Sequence, residues 1–253
     1  MIEFKNVVKH FGEHRVLDGM NLKIPKGETF VVCGPSGVGK SVSLKHMVRL
    51  LTPDSGDIII GDESIVDAGS HDLERIRQRF GYLFQGGAML AWMNVAENVA
   101  LPLIEKTDMA RSEIDDRVNI TLKRVGLDHA SDRMPSEISG GMKKRAGLAR
   151  AIIREPEIVL YDEPTSGLDP VSSRSIDALI NQLREELGVT GVVVTHDLHS
   201  ALAIGDRIGM LNGGRFIDIS DPEAFIHSDN DFVQDFLAAQ YITAKGPWER
   251  NDS

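Results

Sequence analysis

Eight residues, Gly34-Pro35-Ser36-Gly37-Val38-Gly39-Lys40-Ser41, constrain this chain more than anything else in it. They fit the pattern G-x-x-x-x-G-K-[ST] without a gap. The run Thr29-Phe30-Val31-Val32-Cys33 before them reads as a buried strand. Residues 41–51 after them read as a helix with Leu44, Met47, Val48 and Leu51 on one face. Strand, glycine loop and helix in that order make a cradle for phosphate. Gly34, Gly37 and Gly39 permit sharp turns, so successive backbone N–H groups point inward. The helix N-terminus adds partial positive charge. In this pattern Lys40 reaches β- and γ-phosphates and the Ser41 hydroxyl ligates Mg²⁺. Pro35, Ser36, Val38 and Val42 complete the loop and the first helical turn.

With 253 residues the chain can bury a real core, as one domain or one with a subdomain. A formal charge of -10 argues against nucleic acid as a partner and against direct adsorption to anionic lipid. Cys33 is the only cysteine, which rules out an intramolecular disulfide and suits a reducing compartment. Residues 1–6 lead straight into strand-like sequence, with no signal-peptide pattern. No uninterrupted apolar run approaches the roughly 18–20 residues that span a bilayer. Any membrane role is therefore expected to come through a partner.

Residues 2–8 and 16–24 read as antiparallel strands joined around Phe11-Gly12. Turn signals at Pro25-Lys26-Gly27 and Pro53-Asp54-Ser55-Gly56 bound the phosphate loop, and residues 57–60 return as a strand. Residues 80–85 read as a short strand, and residues 94–125 as a charged helical stretch interrupted at Pro102. Residues 158–161 and 192–195 are short apolar runs without alternation, as expected of parallel strands covered on both faces. The predicted fold is α/β, a doubly wound core with an N-terminal antiparallel β subdomain and an inserted helical subdomain. Gly34, Gln85, Asp162 and His196 all follow strand ends, where such sheets bind ligands.

Asp162-Glu163 after the strand at 158–161 forms a Walker B pattern. Asp162 would hold Mg²⁺ and Glu163 would polarise the attacking water. Ile138-Ser139-Gly140-Gly141-Met142 precedes a further helix, whose bare N–H groups and hydroxyl make a second anion site. With this stretch the chain resembles the ATP-binding cassette (ABC) ATPases, over residues 1–240. Met142 stands where that family usually has Gln, and Ile138 where it has Leu. The resemblance implies a P-loop NTPase (RecA-like) core and one ATPase domain over 1–240. A helical subdomain is inserted at about 86–155, and 241–253 form a C-terminal tail. It implies ATP and Mg²⁺, with Mg²⁺ held by Ser41, Gln85 and Asp162. Ser139, Gly140 and Gly141 would grip the γ-phosphate held by a second copy, in a head-to-tail dimer with two buried ATPs. Gln85 resembles the Q-loop glutamine, Asp169 lies in the D-loop stretch Ser166-Gly167-Leu168-Asp169, and His196 resembles the switch histidine. Phe11 resembles the aromatic that stacks on adenine.

The stretch QGGAMLAWMNVAENVALPL from Gln85 carries Ala88, Met89, Leu90, Trp92 and Met93, an apolar cluster where transporters of the family meet their permease. Together with SGGMKKR at 139–145 it resembles the ATPase subunits of MCE-type (Mla) phospholipid transporters. That implies a permease dimer in the inner membrane and an MCE-domain lipid-binding protein beyond it. It also implies a small STAS-type regulator and a peripheral position on the cytoplasmic face, held by the permease. Two alternatives stay open: the ATPase of a polar-solute importer, and a soluble ABC ATPase outside transport. Phe225, Phe232, Phe236 and Leu237 suggest one or two amphipathic helices near the C-terminus. These would pack on their own domain, cross to a neighbouring subunit, or dock a regulator.

Overall fold

The computed structural model describes residues 1–242. The expected polar stretch at 245–253 lies outside the described residues. The strands are β1 (Ile2–Phe11), β2 (His14–Ile24), β3 (Thr29–Cys33), β4 (Ser55–Ile60), β5 (Glu63–Ser64), β6 (Phe80–Leu83), β7 (Ile158–Asp162), β8 (Thr190–Thr195), β9 (Arg207–Asn212) and β10 (Arg215–Ser220). The helices are α1 (Lys40–Met47), α2 (Ser70–Arg77), α3 (Val95–Lys106), α4 (Arg111–Arg124), α5 (Gly140–Ile152), α6 (Pro170–Leu187), α7 (Leu198–Ile204), α8 (Pro222–Ile226) and α9 (Asp231–Ala239). The chain divides into two compact units, Met1–Leu73 with Val192–Ser253, and Glu74–Gly191.

In the first unit an antiparallel sheet runs in the order β2-β1-β4-β5. Ile2 and Phe4 of β1, and Met20, Leu22 and Ile24 of β2, alternate into the core, which fixes one register. Ile2 lies opposite both Ile24 and Ile60. The second sheet element of this unit is parallel: β3 pairs with β9 from Phe30↔Arg207 to Cys33↔Met210, and β10 closes antiparallel on β9. All five residues of β3 are buried, including Cys33, so its sequence shows a continuous apolar run. Helix α7 packs on β3, and α8 packs on β9 and β10. Phe225, Val233 and Leu237 are buried there. Helix α1 is shorter than its sequence pattern, ending at Met47. Arg49 turns into the left-handed region at φ 49° and sends its guanidinium to the carbonyls of Ile65 and Ala68, which breaks the helix before Leu51.

In the second unit β6 and β7 are parallel, from Phe80↔Ile158 to Leu83↔Tyr161. Helix α5 packs on β6, and α3 and α4 pack on α5 and on each other. The helical stretch expected to be interrupted at Pro102 is two helices, but the break falls after Lys106. Thr107 adopts an extended backbone and its hydroxyl donates to the Leu103 carbonyl at 2.7 Å, closing α3. Pro102 sits inside α3 without ending it. Helix α6 is bounded by local chemistry: the Asp169 carboxylate caps it, Pro170 is its first residue, and Gly188 at φ 63° ends it. Among the described residues no helix is long and apolar enough to cross a membrane.

Candidate active site

The phosphate loop belongs to the first unit. Gly34, Gly37 and Gly39 have φ of 150°, 82° and 108°, values costly for any residue with a Cβ. Space makes the same demand at two of them. A Cβ on Gly34 would meet the Leu211 carbonyl oxygen at 2.5 Å, and one on Gly39 would meet Val16 Cγ1 at 2.8 Å. Gly39 is the N-cap of α1 and makes no side-chain cap hydrogen bond, and a helix N-terminus carries partial positive charge that favours an anion. Lys40 is 6% exposed. Its ammonium donates to the carbonyls of Gly34 at 2.8 Å and Pro35 at 3.0 Å, so it lies folded over the loop. Ser41 and Val42 follow on the partly exposed side of the first turn. This donor set, backbone N–H groups with one ammonium, is built for phosphate.

Beside the loop lies a cleft of about 310 Å³. Residues 35–38 form one wall, Arg15 and Val16 another, and the Asn212-Gly213-Gly214 turn a third. That turn joins β9 to β10 and rests on β2, where the Asp18 N–H donates to the Gly214 carbonyl at 3.0 Å. Arg15 and this turn are absent from the sequence expectations, although Asn-Gly-Gly is a hairpin signal. Phe11 stands at the end of β1, 47% exposed, with the Lys9 ammonium 5.7 Å from its ring centroid. His196 follows β8 and is exposed. Its carbonyl accepts from Gln240 Nε2 at 2.8 Å, and Gln240 Oε1 accepts from the Leu198 N–H at 2.9 Å. The C-terminal end of α9 thus pins the loop carrying His196.

The second unit carries the acidic pair. Asp162 is the last residue of β7 and Glu163 the next, and both are buried. The Tyr82 hydroxyl lies 3.4 Å from Asp162 Oδ2. Burial and the neighbouring carboxylate both push the Tyr82 pKa up, so it stays a neutral donor. Glu163 has φ 50°, in the left-handed region. Gln85 is exposed, beyond the end of β6. Its carbonyl accepts from the buried ammonium of Lys144, which also donates to the Glu163 carbonyl at 2.7 Å. Burial lowers the Lys144 pKa to about 8, against the pull of the Glu163 and Asp162 charges.

Ser139 is the N-cap of α5, and its hydroxyl accepts from the Met142 N–H at 3.2 Å. Ser139 and Gly140 are exposed at this helix start, and Gly141 half-buried. Asp169 serves as the cap of α6. It accepts from the N–H groups of Val171 and Ser172, each at 3.0 Å, and from the Ser172 hydroxyl at 2.6 Å. These bonds, the hydroxyl first, hold its pKa below the usual range. After Gln85 the chain is shaped by Asn98. Its buried amide donates to the carbonyls of Leu90, Met93 and Asn94 and accepts from the Leu90 N–H. Trp92 is 73% exposed, and a cleft of about 450 Å³ is lined by Gly86, Ala88, Met89, Ala91, Pro135, Ser136 and Lys143.

A family model described as ABC transporter matches residues 17–166. The chain is 42% identical, over 99% of its length and 72% of the relative's, to the probable ribonucleotide transport ATP-binding protein mkl of Mycobacterium leprae. It is 40% identical to the methionine import ATP-binding protein MetN of Bordetella pertussis, over 94% of this chain and 67% of MetN. It is 37% identical to the intermembrane phospholipid transport system ATP-binding protein MlaF of Haemophilus influenzae, over 95% of this chain and 91% of MlaF. Among solved structures, the dimeric post-hydrolysis state of the cassette MJ0796 bound to ADP and Pi matches with TM-score 0.80 and 35% identity, over 88% of this chain and 99% of that one. The cassette cbiO1 of Clostridium perfringens matches with TM-score 0.82 and 27% identity, over 94% of each chain. The fold is thus the P-loop α/β fold of an ABC nucleotide-binding cassette. The chain belongs to the ABC transporter family, as an ATPase domain that binds and hydrolyses ATP to drive transport.

Proposed function

We propose that the protein is the energy-coupling subunit of an MCE-type ABC transporter, moving phospholipid between inner and outer membranes and so maintaining outer-membrane lipid asymmetry. The observation that carries this reading is the pair of stretches GGAML and SGGMKKR, on which the chain resembles the MCE-type ATPases. The 37% identity to MlaF over 95% of this chain supports it. A methionine-type solute importer is the second reading, favoured by the 40% identity to MetN.

In the proposed mechanism the loop N–H groups and Lys40 hold the β- and γ-phosphates, and Phe11 stacks on adenine. Ser41, Asp162 and Gln85 supply the oxygen ligands that suit a hard cation. Mg²⁺ bound there would neutralise charge on the β- and γ-phosphates. Glu163 accepts a proton from water as its oxygen attacks the γ-phosphorus. The bond from phosphorus to the bridging oxygen breaks, leaving ADP and phosphate. His196 donates to the γ-phosphate. Ser139, Gly140 and Gly141 engage the nucleotide of a second copy, with Asp169 at the seam. Residues 1–240 act as one ATPase domain, with 86–155 as its helical subdomain and 241–253 as a tail. The segment after Gln85, with exposed Trp92, docks the permease and holds the protein peripherally on the cytoplasmic face of the inner membrane. An MCE-domain protein and a small STAS-type regulator complete the assembly.

The test is affinity purification from detergent-solubilised membranes, with mass spectrometry of proteins and lipids. A permease and an MCE-domain protein carrying phospholipid are expected. A different permease without lipid enrichment would favour the solute importer, and soluble partners alone would refute the transport role.

A further inference from the structure

Helix α5 begins with the Ser139 cap, but its inner face does something else. Lys144 is 4% exposed, and its ammonium bridges two carbonyls 78 residues apart in sequence, those of Gln85 and Glu163. A buried ammonium is costly, and an apolar side chain of similar length would fill the space without that cost. The charge therefore needs a reason beyond packing. Glu163 supplies one. Its φ of 50° is a left-handed conformation that non-glycine residues hold only when their surroundings enforce it. Its carbonyl is held by Lys144 at 2.7 Å and by the Ser166 N–H at 3.2 Å.

The other hand of Lys144 lies on a segment that α5 grips twice. Six residues further along the helix, Arg150 donates to the carbonyls of Gly87 and Ala88, each at 2.7 Å. Between the two cations Gly147 lets the segment approach; a Cβ there would lie 3.3 Å from Gly87 Cα. Arg150 holds the segment alone. Lys144 holds the segment and the turn of Glu163 together.

We propose that Lys144 is a positioning residue for hydrolysis: it keeps Glu163 in its left-handed turn while the Gln85 segment is seated on α5, so that displacing the segment is felt at Glu163. This rests on reading Glu163 as the base that activates water. It makes Lys144 the physical link between the segment after Gln85 and the chemistry, and it predicts that removing the link slows turnover without weakening nucleotide binding.

The experiment uses the full-length protein with Mg·ATP and compares Lys144→Met, Lys144→Arg and Glu163→Gln. It reads kcat, KM for ATP, equilibrium affinity for the fluorescent analogue mant-ATP, and the thermal midpoint. Lys144→Met is expected to lower kcat at least tenfold, with KM and mant-ATP affinity within twofold of native and no loss of thermal midpoint. Lys144→Arg is expected to return kcat to within threefold of native. If Lys144→Met does not fold, Lys144→Gln, uncharged and one bond shorter, is held to the same criteria. A Lys144→Met kcat within twofold of native overturns the proposal. So does a joint fall of kcat, affinity and thermal midpoint, which a merely structural role would give, or failure of Lys144→Arg to rescue. Glu163→Gln separates the two layers: if it turns over normally, the base assignment fails and the proposal with it. If it is inactive while Lys144→Met is native-like, only the proposal fails.

Discussion

Asp54, in the turn before β4, ties that turn to the end of β1. Its carboxylate accepts from the Lys9 ammonium at 2.9 Å and from the His10 N–H, and the Lys9 ammonium lies near the ring of Phe11. The Lys9 bond first, then the His10 N–H, lowers the Asp54 pKa from 3.8 to about 2. A carboxyl with a depressed folded pKa stabilises above its unfolded pKa and loses that contribution as pH falls through the folded value. Asp54→Asn should therefore lower the urea midpoint near neutral pH. Its gap from native should narrow below about pH 4 and close by about pH 2. A gap that does not change with pH would contradict this. At this scale the sequence was legible where chemistry is local. Gly34, Lys40 and Ser41 sit in one short pattern, in which Lys40 bonds carbonyls five and six residues back, and the Asp162-Glu163 pair is marked by the strand end at which it stands. Lys144 and Tyr82 were not, because the partners that give them meaning lie 59 and 80 residues away.

Helix α5 sets the geometry of the second unit through what its glycine permits. A Cβ on Gly147 would come within 2.7 Å of Leu83 Cδ1, which is fully buried, and 3.3 Å of the Gly87 carbonyl oxygen. Helix propensity alone makes Gly147→Ala stabilising by about 1 kcal/mol. Overpacking a tight core site costs about 1–3 kcal/mol. The net expectation is destabilisation of about 1 kcal/mol, read as a lower urea midpoint with unchanged slope. A higher midpoint would mean that propensity governs this site. Periodicity located this helix and most strands, since β1 and β2 alternate and β3 and β7 are wholly buried. It overran α1, because the stop is the backbone turn at Arg49, held by carbonyls 16 and 19 residues on. It put the interruption of the 94–125 stretch at Pro102 and not after Lys106, because the Thr107 hydroxyl bond that ends α3 leaves no trace in hydrophobic spacing.

At the scale of the whole molecule, the chemistry is divided along the chain. The phosphate loop, Phe11 and His196 belong to one unit. Gln85, Asp162, Glu163 and the Ser139 helix start belong to the other. Membership of an ATP-hydrolysing family accounts for the phosphate loop of the first unit, and the proposed base, Glu163, lies in the second. The class of protein was legible because its motifs are short and ordered along the chain. The cargo was less so: in the sequence the proposed lipid reading rests only on short stretches such as GGAML. The most direct test of the account is ATP turnover by Glu163→Gln, with light scattering of the same sample in Mg·ATP. The account predicts no turnover, ATP retained on the protein, and a dimer in place of any monomer. Turnover at the native rate would contradict it.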